Sequence, residues 1–308
     1  MPPAPPPQSR AGYLYAILAY LLWGFLPAYF LLLRPSGAFE VVAFRILMSL
    51  AFCVILLSIS RGWQRVGAII RDRRTLLLIA GAAVAIYLNW QIFVLAALAG
   101  HVIEASLGYF INPIVTVLLG VLVLREKVRP AQWVALGIAF AAILVIAIGY
   151  GSFPWIALGL AFSFGSYGLI KRVVGKSVDA VSGLTIETAW LVPVAVVQLI
   201  LVGAIGGGIA FGNNGAGHTI AMLCAGVVTT VPLLLFASGA RRIPLVALGM
   251  TQFLAPILQF FFGWLILHEV MPPERWVGFG LVWLALVVLM SDLILTSRSA
   301  RRASLERV

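Results

Sequence analysis

Charge is scarce in this chain: 10% of its 308 positions are charged, and only ten of those are acidic. Soluble domains carry about 25% charged residues, so a water-exposed globular surface is excluded for most of the sequence. Cysteine is nearly missing too, and Cys53 and Cys224 both fall inside apolar runs, where a thiol acts as a small hydrophobe. That excludes a disulfide framework and a metal cluster, and no metal or other cofactor is expected. No G-x-x-x-x-G-K-[ST] stretch occurs, so ATP hydrolysis by a phosphate loop is excluded.

What is present is hydrophobic: 62% of the residues, with a mean hydropathy of +1.08. Ten runs are long enough to cross about 30 Å of hydrocarbon, which takes roughly 17 to 25 residues. They lie at about 12–33, 39–60, 75–97, 103–123, 130–149, 153–173, 180–204, 218–238, 246–267 and 274–295. Continuous runs predict helices, because inside lipid only helices and closed barrels satisfy the backbone, and barrel strands are short and alternating. The predicted fold is all-α, a polytopic membrane protein of ten transmembrane helices, with the lipid bilayer as its surroundings.

Residues 1–11, with Pro5, Pro6 and Pro7, are expected to form a disordered tail. A cleaved signal peptide is rejected, since the apolar run after Tyr13 exceeds the roughly 7 to 15 residues of a signal core. Residues 297–308 are expected to be a basic cytoplasmic tail.

The net charge of +11 suggests nucleic acid until its placement is considered. Lys and Arg favour cytoplasmic loops. With the N-terminus inside, eighteen of the twenty-one cations fall on cytoplasmic positions, Arg34 and Arg275 fall outside, and Arg45 is left within a helix. Both termini are therefore expected in the cytoplasm, and no nucleic-acid partner is expected.

The chain also matches itself at an offset of 143: Pro113 falls on Pro256, Gly120 on Gly263, Glu126 on Glu269, Pro130 on Pro273 and Trp133 on Trp276. Residues 12–150 and 151–296 thus read as two five-helix repeats. Five is odd, so the second repeat enters the membrane from the opposite side, an inverted arrangement used by secondary transporters that implies alternating access.

Within the helices, polar residues are the functional candidates, since a charge at the bilayer centre costs about 2.5–3.5 kcal/mol on insertion scales. His101, Glu104, Gly108 and Asn112 share one helical stripe, with Tyr109 beside it and Pro113 bending the helix. A second stripe, Gln252, Pro256 and Gln259, matches Tyr109, Pro113 and Thr116 through the repeat. Asn89, Trp90, Tyr167 and Thr229 join the predicted substrate site, Pro232 is a third distorting proline, and Tyr20, Trp23, Gln91, Ser166 and Thr230 are weaker candidates. Asn89 and Gln91 cannot both face inward, being about 200° apart.

Depth along the helices pairs Arg45 with Glu104 or Glu40, and Glu187 with Lys171 or Arg172. These pairs, with His101, are candidates for gating or proton coupling, or else neutralise charge without moving. Glu104 also suits a helix N-terminus for its dipole alone.

The stretches NWQIFVLAALAGHVIEASLGYFINP (89–113), LREKVRPAQWVALG (124–137), LTIETAW (184–190) and GVVTTVPLLLFASGARRIPLVALGMTQFLAPILQF (226–260) resemble the RarD branch of the EamA-type drug/metabolite transporter superfamily. That resemblance covers all but the tails. It implies a basket of helices one to four and six to nine around a central cavity, with the fifth helix of each half peripheral. It also implies movement of small metabolites or drugs across the bacterial inner membrane, in a branch commonly labelled chloramphenicol-sensitive protein.

The expected function is a secondary transporter, not an enzyme, exporting a small organic molecule; a channel or a membrane-embedded enzyme acting on a lipid-like substrate is the alternative. Coupling to protons through Glu104, His101 or Glu187 and simple facilitated diffusion both fit the sequence. Gly137 and Ala141 give the fifth helix a small-xxx-small face, so a homodimer is a secondary expectation.

Overall fold

The structure, a computed structural model, describes residues 10–125, 129–149, 153–174, 178–240, 242–243 and 251–305. Among them every regular element is helical. The first run breaks into α1 (Arg10–Gly24) and α2 (Leu26–Leu32), bent by 42°. Pro27 stands in the first turn of α2 and cannot donate to the Trp23 carbonyl four residues back, which localises the bend.

The chain continues through α3 (Ala38–Ser60), a short α4 (Trp63–Arg71), α5 (Arg73–Leu98), α6 (Val102–Leu124) and α7 (Pro130–Gly149). It follows with α8 (Trp155–Val174), α9 (Ala180–Ile205), α10 (Gly215–Leu223) and α11 (Ala225–Ala240). Last come α12 (Leu254–Phe261), which runs into a π-helical turn at Phe262–Ile266, and α13 (Pro273–Leu305).

Seven described spans are long and apolar enough to cross a membrane, counting Gly215–Gly239 as one, and the bent α1–α2 pair makes eight. Ten were expected. The shortfall lies in α8, whose apolar stretch stops at Lys171, and in the helix around α12, described only from residue 251 onward. Two boundaries also differ. Helix α4 falls where a loop was expected: it is amphipathic, burying Val66 and Ile69 against Leu57, Ile79, Val174 and Ile186. Helix α13 continues to Leu305, beyond the expected end at 295 and into the segment expected as a tail. Residues 1–9 and 306–308, and Glu126 with its place in the repeat, lie outside the described residues.

Asp72 starts α5, accepting from the Arg74 amide at 3.1 Å and from the Thr75 hydroxyl. The Thr75 bond, aided by the backbone, holds this carboxyl below the usual carboxylate range.

The helices pack as α3 on α9, α6 on α8, α5 on α8 and α9, α1 on α11 and α12, α3 on α11, and α7 on α13. Two crossings bring backbones together. A Cβ on Gly108 would meet the Ala157 carbonyl oxygen at 2.6 Å, and one on Gly226 would collide with the Met48 backbone. Larger residues there would push α6 from α8 and α11 from α3.

One end of the bundle is joined by buried polar contacts. The Glu40 carboxylate accepts from the Ala210 and Phe211 amides, and Glu269 accepts from the Val102 and Ile103 amides at 2.7 and 2.9 Å. The latter caps α6 with a charge of the favoured sign. Nearby, the His218 ring shares Nε2 between Ser36 Oγ and the Leu33 carbonyl, and Tyr29 donates to the Ala221 carbonyl.

Candidate functional site

The central cavity opens where α1, α3, α5, α6, α8, α11 and α12 converge, and α7 and α13 contribute no lining residue. It measures about 90 Å³, room for several waters or a small organic group. Its walls mix aromatic rings with few polar groups, the usual composition of a small-molecule site.

Helix α5 supplies two of the polar side chains. Asn89 Nδ2 donates to the Leu160 carbonyl and to Ser163 Oγ on α8, both at 3.3 Å, while its Oδ1 accepts from the Tyr109 hydroxyl at 3.0 Å. This network fixes Tyr109 between the rings of Phe93 and Phe164. Gln91, two residues on, faces elsewhere and accepts from Gln198 at 2.8 Å, consistent with the helical angle between it and Asn89.

Helix α12 supplies Pro256 and Gln259, and Gln252 stands in the turn just before it. Gln259 Nε2 donates to the Trp23 carbonyl at 3.1 Å, the same carbonyl that Pro27 leaves without its helical donor. The break in α1–α2 is thus satisfied from the other half of the chain. Asn112 Oδ1 and Gln259 Oε1 are both buried without a protein partner.

Arg45 is 4% exposed and lies against the same cavity. Its Nε donates to Thr229 Oγ1 at 2.8 Å, and its guanidinium stands 4.4 Å from the Trp90 ring and 5.6 Å from that of Phe30. The expected ion pair with Glu104 or Glu40 is absent. Glu40 precedes Arg45 by five residues, about 140° around the helix, and is committed to the Ala210 and Phe211 amides. Glu104 accepts from the Ile156 amide at 3.2 Å, in the first turn of α8.

The structure places the other candidates as follows. Glu187 has no exposed side chain; it receives the Lys171 ammonium at 2.6 Å and the Tyr167 hydroxyl at 3.2 Å. Tyr167 therefore belongs to this cluster and does not line the cavity. His101 is exposed at the start of α6, its side chain making no cap. Pro113 and Pro232 lie inside α6 and α11. The side chain of Arg172 is outside the described residues. Tyr20 and Trp23 do line the cavity.

Phe93, Phe164, Ile86 and Leu233 also line it and were not anticipated. Nothing in a sequence separates such residues from ordinary core.

With this geometry established, similarity to known proteins becomes informative. The model of the EamA-like transporter family matches residues 10–148 and again 153–291. The chain belongs to the EamA-like transporter family. As an EamA-like protein it is 46% identical to Protein RarD of Streptomyces exfoliatus, over 96% of this chain and 92% of the relative. It is 36% identical to the uncharacterized transporter YojE of Bacillus subtilis (strain 168), over 96% and 98% respectively. A solved crystal structure at 14% identity shares the fold, with a TM-score of 0.57 over 92% of this chain and 96% of that one. This EamA-like chain, RarD-like over nearly its full length, is a multi-pass membrane transporter.

Proposed function

We propose that the protein is a secondary transporter that exports a small organic metabolite or drug across the bacterial inner membrane by alternating access. One observation carries this reading: a central cavity walled by polar side chains from both family-matched segments, Arg45, Asn89 and Asn112 from the first, Thr229, Gln252 and Gln259 from the second. A bundle held together only by lipid-compatible packing gains nothing from such groups.

The full topology belongs to the same proposal: ten spans as two inverted five-helix halves, with both termini cytoplasmic. The helix packing supports it. Exchanging the halves turns α6–α8 into α12–α1, α5–α8 into α11–α1 and α5–α9 into α11–α3, each a pair in contact, while α3–α9 and α7–α13 map onto themselves. In this topology Glu40 and Glu269 hold the outer end and the Lys171–Glu187 pair lies toward the cytoplasm. Trp90, Asn89, Tyr109, Asn112, Thr229, Gln252 and Gln259 contact substrate; Arg45 stands at the same site, and Lys171 and Glu187 serve the cytoplasmic gate.

The test is counterflow in proteoliposomes with cysteine accessibility at each end. Saturable counterflow, with alternating labelling of the two ends, is expected. Flux linear in solute concentration would replace the carrier by a pore. If E187Q folds and transports at the parental rate, the gate role of that pair is wrong.

A further inference from the structure

Among the described residues two cations are buried, Arg45 and Arg275, and Arg275 donates to the Val270 carbonyl. Arg45 keeps its charge at any physiological pH and presents five N–H donors in a rigid fork. Only Nε finds a protein acceptor, and Nη1 is buried with none. Among the described residues the acids near the cavity are committed elsewhere: Glu40 and Glu104 to backbone amides, Glu187 to Lys171 and Tyr167, Glu269 to the start of α6. The rings of Trp90 and Phe30 offset part of the charge by their quadrupoles, yet they supply no lone pair for the remaining donors.

We propose that this cavity is a seat for a small organic monoanion, whose carboxylate lies on the free edge of the Arg45 guanidinium. This deepens the transport reading and rests on it for its biological sense. A carboxylate matches the fork geometry and accepts two N–H groups at once. Its charge also neutralises a buried cation for which no described residue supplies a counter-ion.

The remainder of the ligand is constrained by the rest of the wall. Asn112 and Gln259 each hold one buried amide atom without a partner. Because amide oxygen and nitrogen are assigned by their surroundings, this side recognises an uncharged hydrogen-bonding group of either polarity. Between the two ends stand Trp23, Phe93, Tyr109 and Phe164, which suit an aromatic or apolar skeleton. No lining residue is acidic, so a cationic ligand finds no carboxylate to offset the repulsion of Arg45.

The experiment uses the purified full-length chain in detergent and three matched probe sets: benzoate, phenylacetate and 3-phenylpropionate; their primary amides; and benzylamine with its longer homologues. Ligand binding raises the thermal unfolding midpoint by mass action. Carboxylates are expected to raise it, amides and amines to do so at least about tenfold more weakly in apparent Kd, and R45Q to remove the carboxylate response. R45K, a point charge without the fork, is expected to retain part of it.

The proposal is overturned if no carboxylate in the set stabilises the protein, if amides or amines match the carboxylates, or if R45Q responds as the parent does. The comparison among the three sets needs no variant, so it holds even if R45Q fails to fold. Carboxylate binding through Arg45 without counterflow would sink the transport reading and leave the seat. Counterflow of a neutral or cationic solute that R45Q does not alter would do the reverse.

Discussion

Lys171→Met and Glu187→Gln should differ in cost, although they break the same ion pair. The Glu187 side chain is 0% exposed and that of Lys171 is 30% exposed. Removing the lysine strands a carboxylate with only the Tyr167 hydroxyl, and an unpaired buried charge typically costs about 3–5 kcal/mol. The acid can escape by taking up a proton, which at pH 7 costs about 3.7 kcal/mol from the ordinary glutamate value. K171M should therefore lose about 3 kcal/mol. E187Q leaves an ammonium that reaches solvent, and the new amide still accepts one bond, so about 1–2 kcal/mol is expected. The double variant should recover part of the K171M loss, because the stranded charge is gone. Unfolding in detergent across the four proteins measures all three quantities. An E187Q protein less stable than K171M, or additive losses in the double variant, would refute the reasoning.

Gly226→Ala should destabilise by about 1–3 kcal/mol, since its Cβ would enter the Met48 backbone; unchanged unfolding would show that α3 and α11 separate freely. Gly137→Ala, with nothing within 4 Å of the added carbon, should be neutral or stabilising by up to about 1 kcal/mol. G137L should disrupt a homodimer if the small-residue face of α7 mediates one, as read by mass in native detergent complexes. Burial pushes the Glu269 carboxyl above its usual range, against the pull of the Ile103 and Val102 amides. A raised native value means that this contribution to stability is full below the unfolded glutamate value, about 4.3, and is lost as pH rises through the native one. The unfolding midpoint should fall as pH rises above about 4.3, and an E269Q profile with the parental slope would refute it.

Helix placement was the most legible part of this protein, because long apolar runs bounded by cations have few physical solutions. Helix α4 escaped notice since its nine residues include two arginines and a glutamine, and its buried side shows only once Leu57 and Val174 are packed beside it. The polar stripes on α6 and α12 were readable from spacing and from the repeat, and Asn112, Pro256 and Gln259 do reach one cavity. The environment of Arg45 was not readable. Its hydrogen-bond partner is 184 residues away on α11, and depth alone cannot tell a carboxylate from a threonine and an aromatic face. Glu40 and Glu104 misled for a related reason: peptide amides leave no mark in sequence as acceptors' partners, so acids that cap backbone look available for cations.

The contact between Gly226 and the Met48 backbone has a mechanical consequence. Thr229 stands one turn along from Gly226, and Arg45 one turn before Met48, so the hydrogen bond between them is mounted on two rods that touch through their peptide planes. No compressible side-chain cushion separates those rods. Any rearrangement of the bundle that preserves this junction carries donor and acceptor as a single rigid part, and cargo held there would be transferred by motion around it, without its cradle being dismantled and rebuilt on each cycle.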